Sequence, residues 1–196
     1  MAPFWTSRDK GVDEDARQIL VGFSYATGTL ENRVLTAVIR WFTGGPATHT
    51  FLLVPSSVHG WTTLGANADG VGYIPLDQFI RTRRLVAAFS PRRESLWTGL
   101  GELSKDVGAP YNYGGLLGMA YVEAARRWFD LQVSRNPTSE RRALFCSQFV
   151  AEVVRASGLS LGLHDDPAST LAPEELLNAM LGNPLWEMCP LDRLVA

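Results

Sequence analysis

The chain is poor in cysteine and histidine and carries no excess of charge of either sign. Two cysteines in 196 residues are too few for a disulfide framework. With three histidines, a zinc site would have to draw on His49, His59, Cys146 and Asp165. These lack the short-range spacing of metal ligands, so no metal is expected. A formal net charge of −2 excludes the global basic field of a nucleic-acid binder. No apolar run approaches the ~20 residues of a membrane span. The run from Gly114 to Val122 is short and passes into Glu123, Arg126 and Arg127. The start, Met1-Ala2-Pro3-Phe4-Trp5-Thr6, has no basic region followed by an apolar one. No secretory signal is therefore expected, and the chain should be made in the cytoplasm. Gly114-Gly115 opens a helix without the Lys-Ser/Thr of a phosphate-binding loop, and no dinucleotide fingerprint is present. No cofactor is expected.

What is present is apolar bulk: 46% of residues are hydrophobic, enough for one domain, 1–196, with a substantial core. Residues 1–17 read as an irregular arm. Apolar runs and alternation predict strands over Ile19 to Tyr25, His49 to Val54, Trp61 to Ala66, Val71 to Leu76 and Leu85 to Phe89. The helical period predicts helices over Glu31 to Trp41, Glu94 to Val107, from Gly114 to near Phe129, after Cys146 to Gly158, and Thr170 to Ala179. Pro173, Glu174 and Glu175 suit the start of the last of these. The polar stretch 131–143 is expected to be a mobile excursion, and Trp186 to pack back on the core. Arg81, Arg83, Arg84, Arg92 and Arg93 read as a solvated basic face. The expected class is α+β, with an antiparallel sheet of about five strands packed against helices.

The stretch that organises the rest is Leu144-Phe145-Cys146-Ser147-Gln148-Phe149-Val150-Ala151-Glu152-Val153-Val154. A cysteine stands before a helix whose stripe is Phe149, Val150, Val153 and Val154. Alone, such a cysteine is more often a small buried hydrophobe. At a helix N-terminus, however, backbone N–H groups and the helix dipole favour thiolate, and a lowered pKa is expected. A cysteine nucleophile also needs a base. His49, opening the strand His49-Thr50-Phe51-Leu52-Leu53-Val54, is the best candidate. Cys189 reads as structural; a Cys146–Cys189 bridge would silence the nucleophile.

The order of strand, helix, His-Thr-apolar strand, hairpin and later Phe-Cys-Ser-x-Phe-Val helix resembles the circularly permuted NlpC/P60 group of papain-like cysteine hydrolases. In unpermuted relatives the cysteine helix comes first. The resemblance covers about residues 18–182. It places His49 and Cys146 on the family's base and nucleophile, and Gly158, Pro173 and Gly108-x-Pro110-Tyr111-x-Tyr113 also fit. It implies a permuted papain-like fold and cleavage of an amide, in a peptide or a peptidoglycan stem peptide. The Cys146 N–H would serve the oxyanion, with Ser24 or Tyr25 as a further donor.

The third site member departs from the family pattern. Relatives carry an acid in an E-A-x-x-x-G-V stretch; here it is Gly65-Ala66-Asn67-Ala68-Asp69-Gly70-Val71. Asn67 is the nearest replacement as imidazole orienter. Asp69 is the next, though an Asp before Gly is commonly a turn former; the remaining alternative is that no side chain orients the imidazole. Two rivals stand beside the hydrolase. One is a non-catalytic structural or binding component of a phage-like particle, for which the partners would be other particle proteins. The other is a lipid-directed thiol hydrolase or acyltransferase like the lecithin:retinol acyltransferase relatives. A wall hydrolase without a leader would be understandable if it were virion-associated.

Overall fold

A computed structural model of the chain describes residues 18–28, 45–67, 69–112, 144–163 and 168–195, with positions 37, 40, 114, 118, 121 and 125. The arm 1–17, most of the helices expected over Glu31 to Trp41 and after Gly114, the stretch 131–143 and His164 lie outside the described residues. The alternating apolar segments form β1 (Leu20–Ala26), β2 (His49–Ser56), β3 (Gly60–Asn67), β4 (Gly70–Pro75) and β5 (Arg83–Pro91). A short strand β6 (Trp186–Met188) adds to β5. The six make one sheet in the order β4-β3-β2-β1-β5-β6, antiparallel throughout. The sixth strand beyond the expected five is the tail around the buried Trp186.

Among the fully described segments, five α-helices accompany the sheet: α1 (Leu76–Phe79), α2 (Trp97–Leu103), α3 (Cys146–Ala156), α4 (Pro173–Leu181) and α5 (Asp192–Val195). The sheet period of two decides which side chains meet them. Val21, Phe23, Leu52, Val54 and Leu64 join Phe149, Val150, Val153 and Val154 of α3 in one cluster. Leu20, Phe51 and Leu53 join Leu76 and Phe79 of α1 and Leu194 of α5 in the other. β2 is thus buried on both sides, which is why its sequence is almost continuously apolar.

The expected stripe of α3 is fully buried, and the helix ends before Gly158, at φ +74°. The helix expected over Glu94 to Val107 is shorter. After α2, a single 3-10 turn, Ser104–Asp106, redirects the chain. Gly108 N–H then donates to Val71 O at 2.8 Å, and Val71 N–H to Ala109 O at 2.9 Å. These two bonds tie the loop to the outer edge of β4 and leave Val107 exposed. At the head of α4, Glu175 Oε2 accepts from the Ala172 N–H at 2.8 Å, the reach-back that an acid at the third helical position makes. Glu174 Oε2 accepts from the Ala47 N–H at 3.1 Å, which ties the loop leading into His49 to α4.

Helix α2 can approach α3 only because Gly99 has no side chain. Its N–H donates to Ser157 Oγ at 3.1 Å, and that hydroxyl donates to Val153 O at 2.9 Å. A Cβ at Gly99 would fall onto the Val153 carbonyl oxygen, which is backbone and cannot step aside. Gly99→Ala is expected to destabilise by about 1–3 kcal/mol, as overpacking does. An unchanged denaturation midpoint would show that the two helices part freely.

Candidate active site

Cys146 is the first residue of α3, 3% exposed. Phe145 before it is extended, at φ −107° and ψ 167°, so the chain arrives as a strand and turns into the helix at the cysteine. Two contacts hold the arriving segment. Tyr111 bridges Leu144, and the Asn112 N–H donates to Leu144 O at 3.1 Å. Inside the helix, Ser147 Oγ donates to Leu171 O and anchors the first turn to the segment before α4.

The thiol reaches β2 at the place where the sheet opens. Pairing of β2 with β3 runs inward from Ser56–Gly60 and stops at Leu52–Leu64. Stepping the register back by two residues would pair Thr50 with Ala66, but that rung is missing. The Thr50 N–H is directed to the Cys146 sulfur instead, together with the N–H groups of Ser147 and Cys146 itself. These donors and the Arg83 charge pull the thiol pKa down, yet burial outweighs them and pushes it up. The expected lowering by the helix N-terminus is therefore reversed in sign. The local donors are all present, but the sulfur is shut away from the water that would solvate a thiolate.

His49 opens β2 on the face of Phe51 and Leu53, and α3 packs on the other face. Its ring lies 5.8 Å from that of Phe51 and 6.1 Å from that of Phe79. It is 5% exposed, and Nε2 has no hydrogen-bond partner among the described residues. Burial, with a contribution from the Arg83 charge, holds its pKa well below the usual histidine value. At neutral pH the pair is accordingly a thiol and a neutral imidazole, not the thiolate–imidazolium pair that papain-like chemistry suggests. His49 immediately precedes Thr50, whose N–H the Cys146 sulfur faces. The imidazole itself lies against Phe51 and Phe79, while α3 packs on the other face of β2, and no hydrogen bond joins Nε2 to the sulfur. Ser24 lies directly opposite His49 in the β1–β2 register, fully buried, and its Oγ also lacks a partner. Tyr25, the other upstream residue considered, lies under the Arg40 guanidinium at 5.8 Å.

Continuing the β2–β3 register would place Asn67 across from His49, but the ladder has stopped before that point. Asn67 ends β3, pairs with Gly70, and gives its Nδ2 to its own Gly65 O at 3.1 Å. It makes no hydrogen bond to Nε2 of His49. Asp69 is exposed in the β3–β4 turn, and His59 in the β2–β3 turn. At Gly65, the position where the sequence resemblance would put an acid, a Cβ would lie 3.1 Å from Phe51 Cβ, a tight fit.

Arg83 is the residue that the sequence reading missed. Arg81, Arg84, Arg92 and Arg93 are exposed as expected, but Arg83 is half-buried. β5 begins two residues earlier than its apolar run suggests, and Arg83 pairs with Ala26 in the sheet. Its guanidinium lies 5.4 Å from the centre of the Phe79 ring. Its charge acts on both His49 and Cys146. Burial pulls its own pKa down from the usual value, opposed by Cys146 and Tyr111. The two ion pairs among the described residues, Arg81–Asp77 and Arg92–Glu187, do not involve it.

A cavity of about 310 Å³ lies elsewhere, lined by Leu20, Trp61, Cys189, Arg193 and neighbours; neither Cys146 nor His49 borders it. No disulfide joins Cys146 to Cys189. Among the described residues, no three His, Cys, Asp or Glu side chains gather as a metal site, and no helix is long and apolar enough to cross a membrane.

The two shifted groups set a pH window for stability. Below about pH 6.5 the unfolded chain protonates His49 while the buried imidazole resists. Stability therefore falls as pH falls from there toward the depressed folded pKa. Above about pH 8.5 the unfolded chain ionises Cys146 while the buried thiol keeps its proton, so stability falls as pH rises. Denaturation across pH is expected to show a maximum between these limits. His49→Leu should flatten the acid limb and Cys146→Ala the alkaline one; a limb that survives its substitution belongs to another group.

Comparison of the chain with family models, with curated proteins and with solved structures finds no match.

Proposed function

We propose that the chain is a cysteine-dependent hydrolase of the permuted papain-like kind, with Cys146 as nucleophile and His49 as base. The observation that carries this reading is the junction at Thr50. A helix-start thiol faces its N–H, and the preceding residue is a histidine whose buried Nε2 has no partner. The thiol and the histidine next to Thr50 thus lie at one opening of the sheet, and the imidazole Nε2 makes no hydrogen bond among the described residues.

With both groups neutral at rest, the imidazole acts as a general base during attack. For this the imidazole must swing from the face of Phe51 and Phe79 through the opening at Thr50 to the sulfur, and no hydrogen bond of Nε2 among the described residues holds it back. The sulfur bonds to the carbonyl carbon as its proton passes to Nε2, and the carbonyl electron pair moves onto oxygen. The N–H groups of Cys146 and Ser147 are the nearest donors to that oxyanion. Collapse expels the amine, which takes the proton from the imidazolium and leaves a thioester on Cys146. Water, deprotonated by His49, then releases the acid and restores the thiol.

The substrate class that the sequence resemblance favours is a peptide or a peptidoglycan stem peptide, with delivery by a phage-like particle as the route. The burial of Cys146 favours a second reading, a non-catalytic component of such a particle. Incubating the protein with peptides, peptidoglycan and phospholipids separates these. Turnover, or a Cys146-bound acyl adduct found by mass spectrometry, supports the hydrolase and its bond type. Failure to form any adduct or product across the panel favours the structural component.

A further inference from the structure

Arg83 is a cation near the site, and among the described residues no acid balances it. Charged side chains are rarely withdrawn from water unless paired. Arg83 has no carboxylate within ion-pair distance among the described residues, and its recorded contact is the face of Phe79. Phe79 in turn touches His49 and Phe51, with ring centres 6.1 Å and 4.5 Å apart. Arg83, Phe79 and His49 thus form one continuous row on one face of the sheet. A guanidinium whose carbon sits over an aromatic ring keeps N–H donors that can serve a planar, two-pronged acceptor. The second observation is independent of the arginine: Nε2 of His49 and Oγ of Ser24, on neighbouring strands of the same face, are buried without partners among the described residues. Buried polar atoms without partners mark a place where a polar group is missing.

We propose that Arg83 anchors a carboxylate carried by the substrate next to the bond that Cys146 attacks. This rests on the cysteine chemistry proposed above and narrows its substrate to an acidic acyl compound, such as a peptide with a free carboxylate beside the scissile amide. The anchor supplies the missing counter-charge on binding. It also discriminates, because a neutral analogue leaves the guanidinium unpaired in a partly buried place.

The thiol itself reports on this. Iodoacetate and iodoacetamide differ in one group, a carboxylate against an amide. In both reactions the sulfur displaces iodide and the thiol proton passes to solvent. Rates at Cys146 are read by mass spectrometry, and the ratio of the two reagents is compared with their ratio at glutathione. We expect the Cys146 ratio to favour iodoacetate by roughly ten- to a hundredfold over glutathione, the range of a charge-assisted hydrogen-bonded pair. Arg83→Met, which keeps the apolar stem, should return the ratio to that of glutathione, and Arg83→Lys should retain part of it. In the wild type, N-acetylglycine should slow alkylation and N-acetylglycinamide should not. This arm decides alone if Arg83→Met fails to fold. A glutathione-like ratio at a reactive Cys146 overturns the anchor and leaves the hydrolase reading standing. Equal slowing of both reagents in Arg83→Met makes Arg83 a counter-charge to the thiolate and overturns the anchor as well. If neither reagent reaches Cys146, the anchor and the hydrolase fall together.

Discussion

Cys146→Ser is expected to lower hydrolysis of the substrate found in the panel by roughly a thousandfold or more, while the protein still folds. The size follows from the role proposed for the residue. A nucleophile that forms the acyl intermediate cannot be replaced by its neighbours, and losses of this order accompany removal of such groups. Serine keeps the volume and can accept from the Thr50, Ser147 and Cys146 N–H groups that now face sulfur. It is a poor nucleophile here, because a neutral imidazole must remove a much less acidic proton. His49→Ala should cost nearly as much, and the double variant little more than either alone, since the two act as one unit. The pH profile gives a second check. With His49 depressed by burial and Cys146 raised, the neutral pair that the mechanism starts from spans neutrality, so the activity should persist well below pH 6.5 and fall only in alkali, where the thiol ionises and the leaving amine loses its proton source. Wild-type rates in Cys146→Ser would move the chemistry elsewhere, and full rates in His49→Ala with loss only in Cys146→Ser would leave the base unassigned.

Much of the frame was legible because it rests on local periodicity. The first four strands begin and end within one or two residues of their alternating runs, and α3 carries its stripe where the spacing put it. The misses have a common physical cause. α1 and α5 are single turns and β6 is three residues long, too short to show a period. β5 starts at Arg83 because antiparallel pairing with Ala26 extends it past its apolar run, and pairing is invisible in one strand alone. The same holds for the site. That Cys146 opens a helix and His49 a strand is local, and both were readable. Which face of β2 each occupies, how far the sulfur is withdrawn from water, and whether burial beats the helix N-terminus are tertiary quantities. Asn67 shows the competition most clearly. Its rung was inferable from the hairpin, but a side chain at a strand end can satisfy itself on its own backbone, and the Asn67 amide donates to Gly65 O at 3.1 Å.

Phe149→Ala is expected to be the most damaging single change to stability, about 3–5 kcal/mol, the usual cost of deleting a fully buried aromatic side chain. Phe149 is completely buried one turn after Cys146, in the cluster where α3 meets Leu52, Val54 and Leu64. Its N–H also donates to Phe145 O at 3.0 Å, the bond that closes the first turn of the helix. The space left cannot collapse easily, because Val150, Val153 and Val154 hold the helix at its distance from β2 and β3. The lost packing should appear in the thiol as well as in the melting curve. Burial is what keeps the Cys146 pKa high, so a first turn that opens more often should bring the sulfur toward water and toward its ordinary acidity. Phe149→Ala is therefore expected to melt earlier and to alkylate faster with iodoacetamide at Cys146, with Cys189 unchanged. Phe149→Leu, which fills most of the space, should lie between. A large drop in stability with no change in Cys146 labelling would mean that the thiol is withdrawn by the Tyr111–Leu144 segment rather than by the seat of α3.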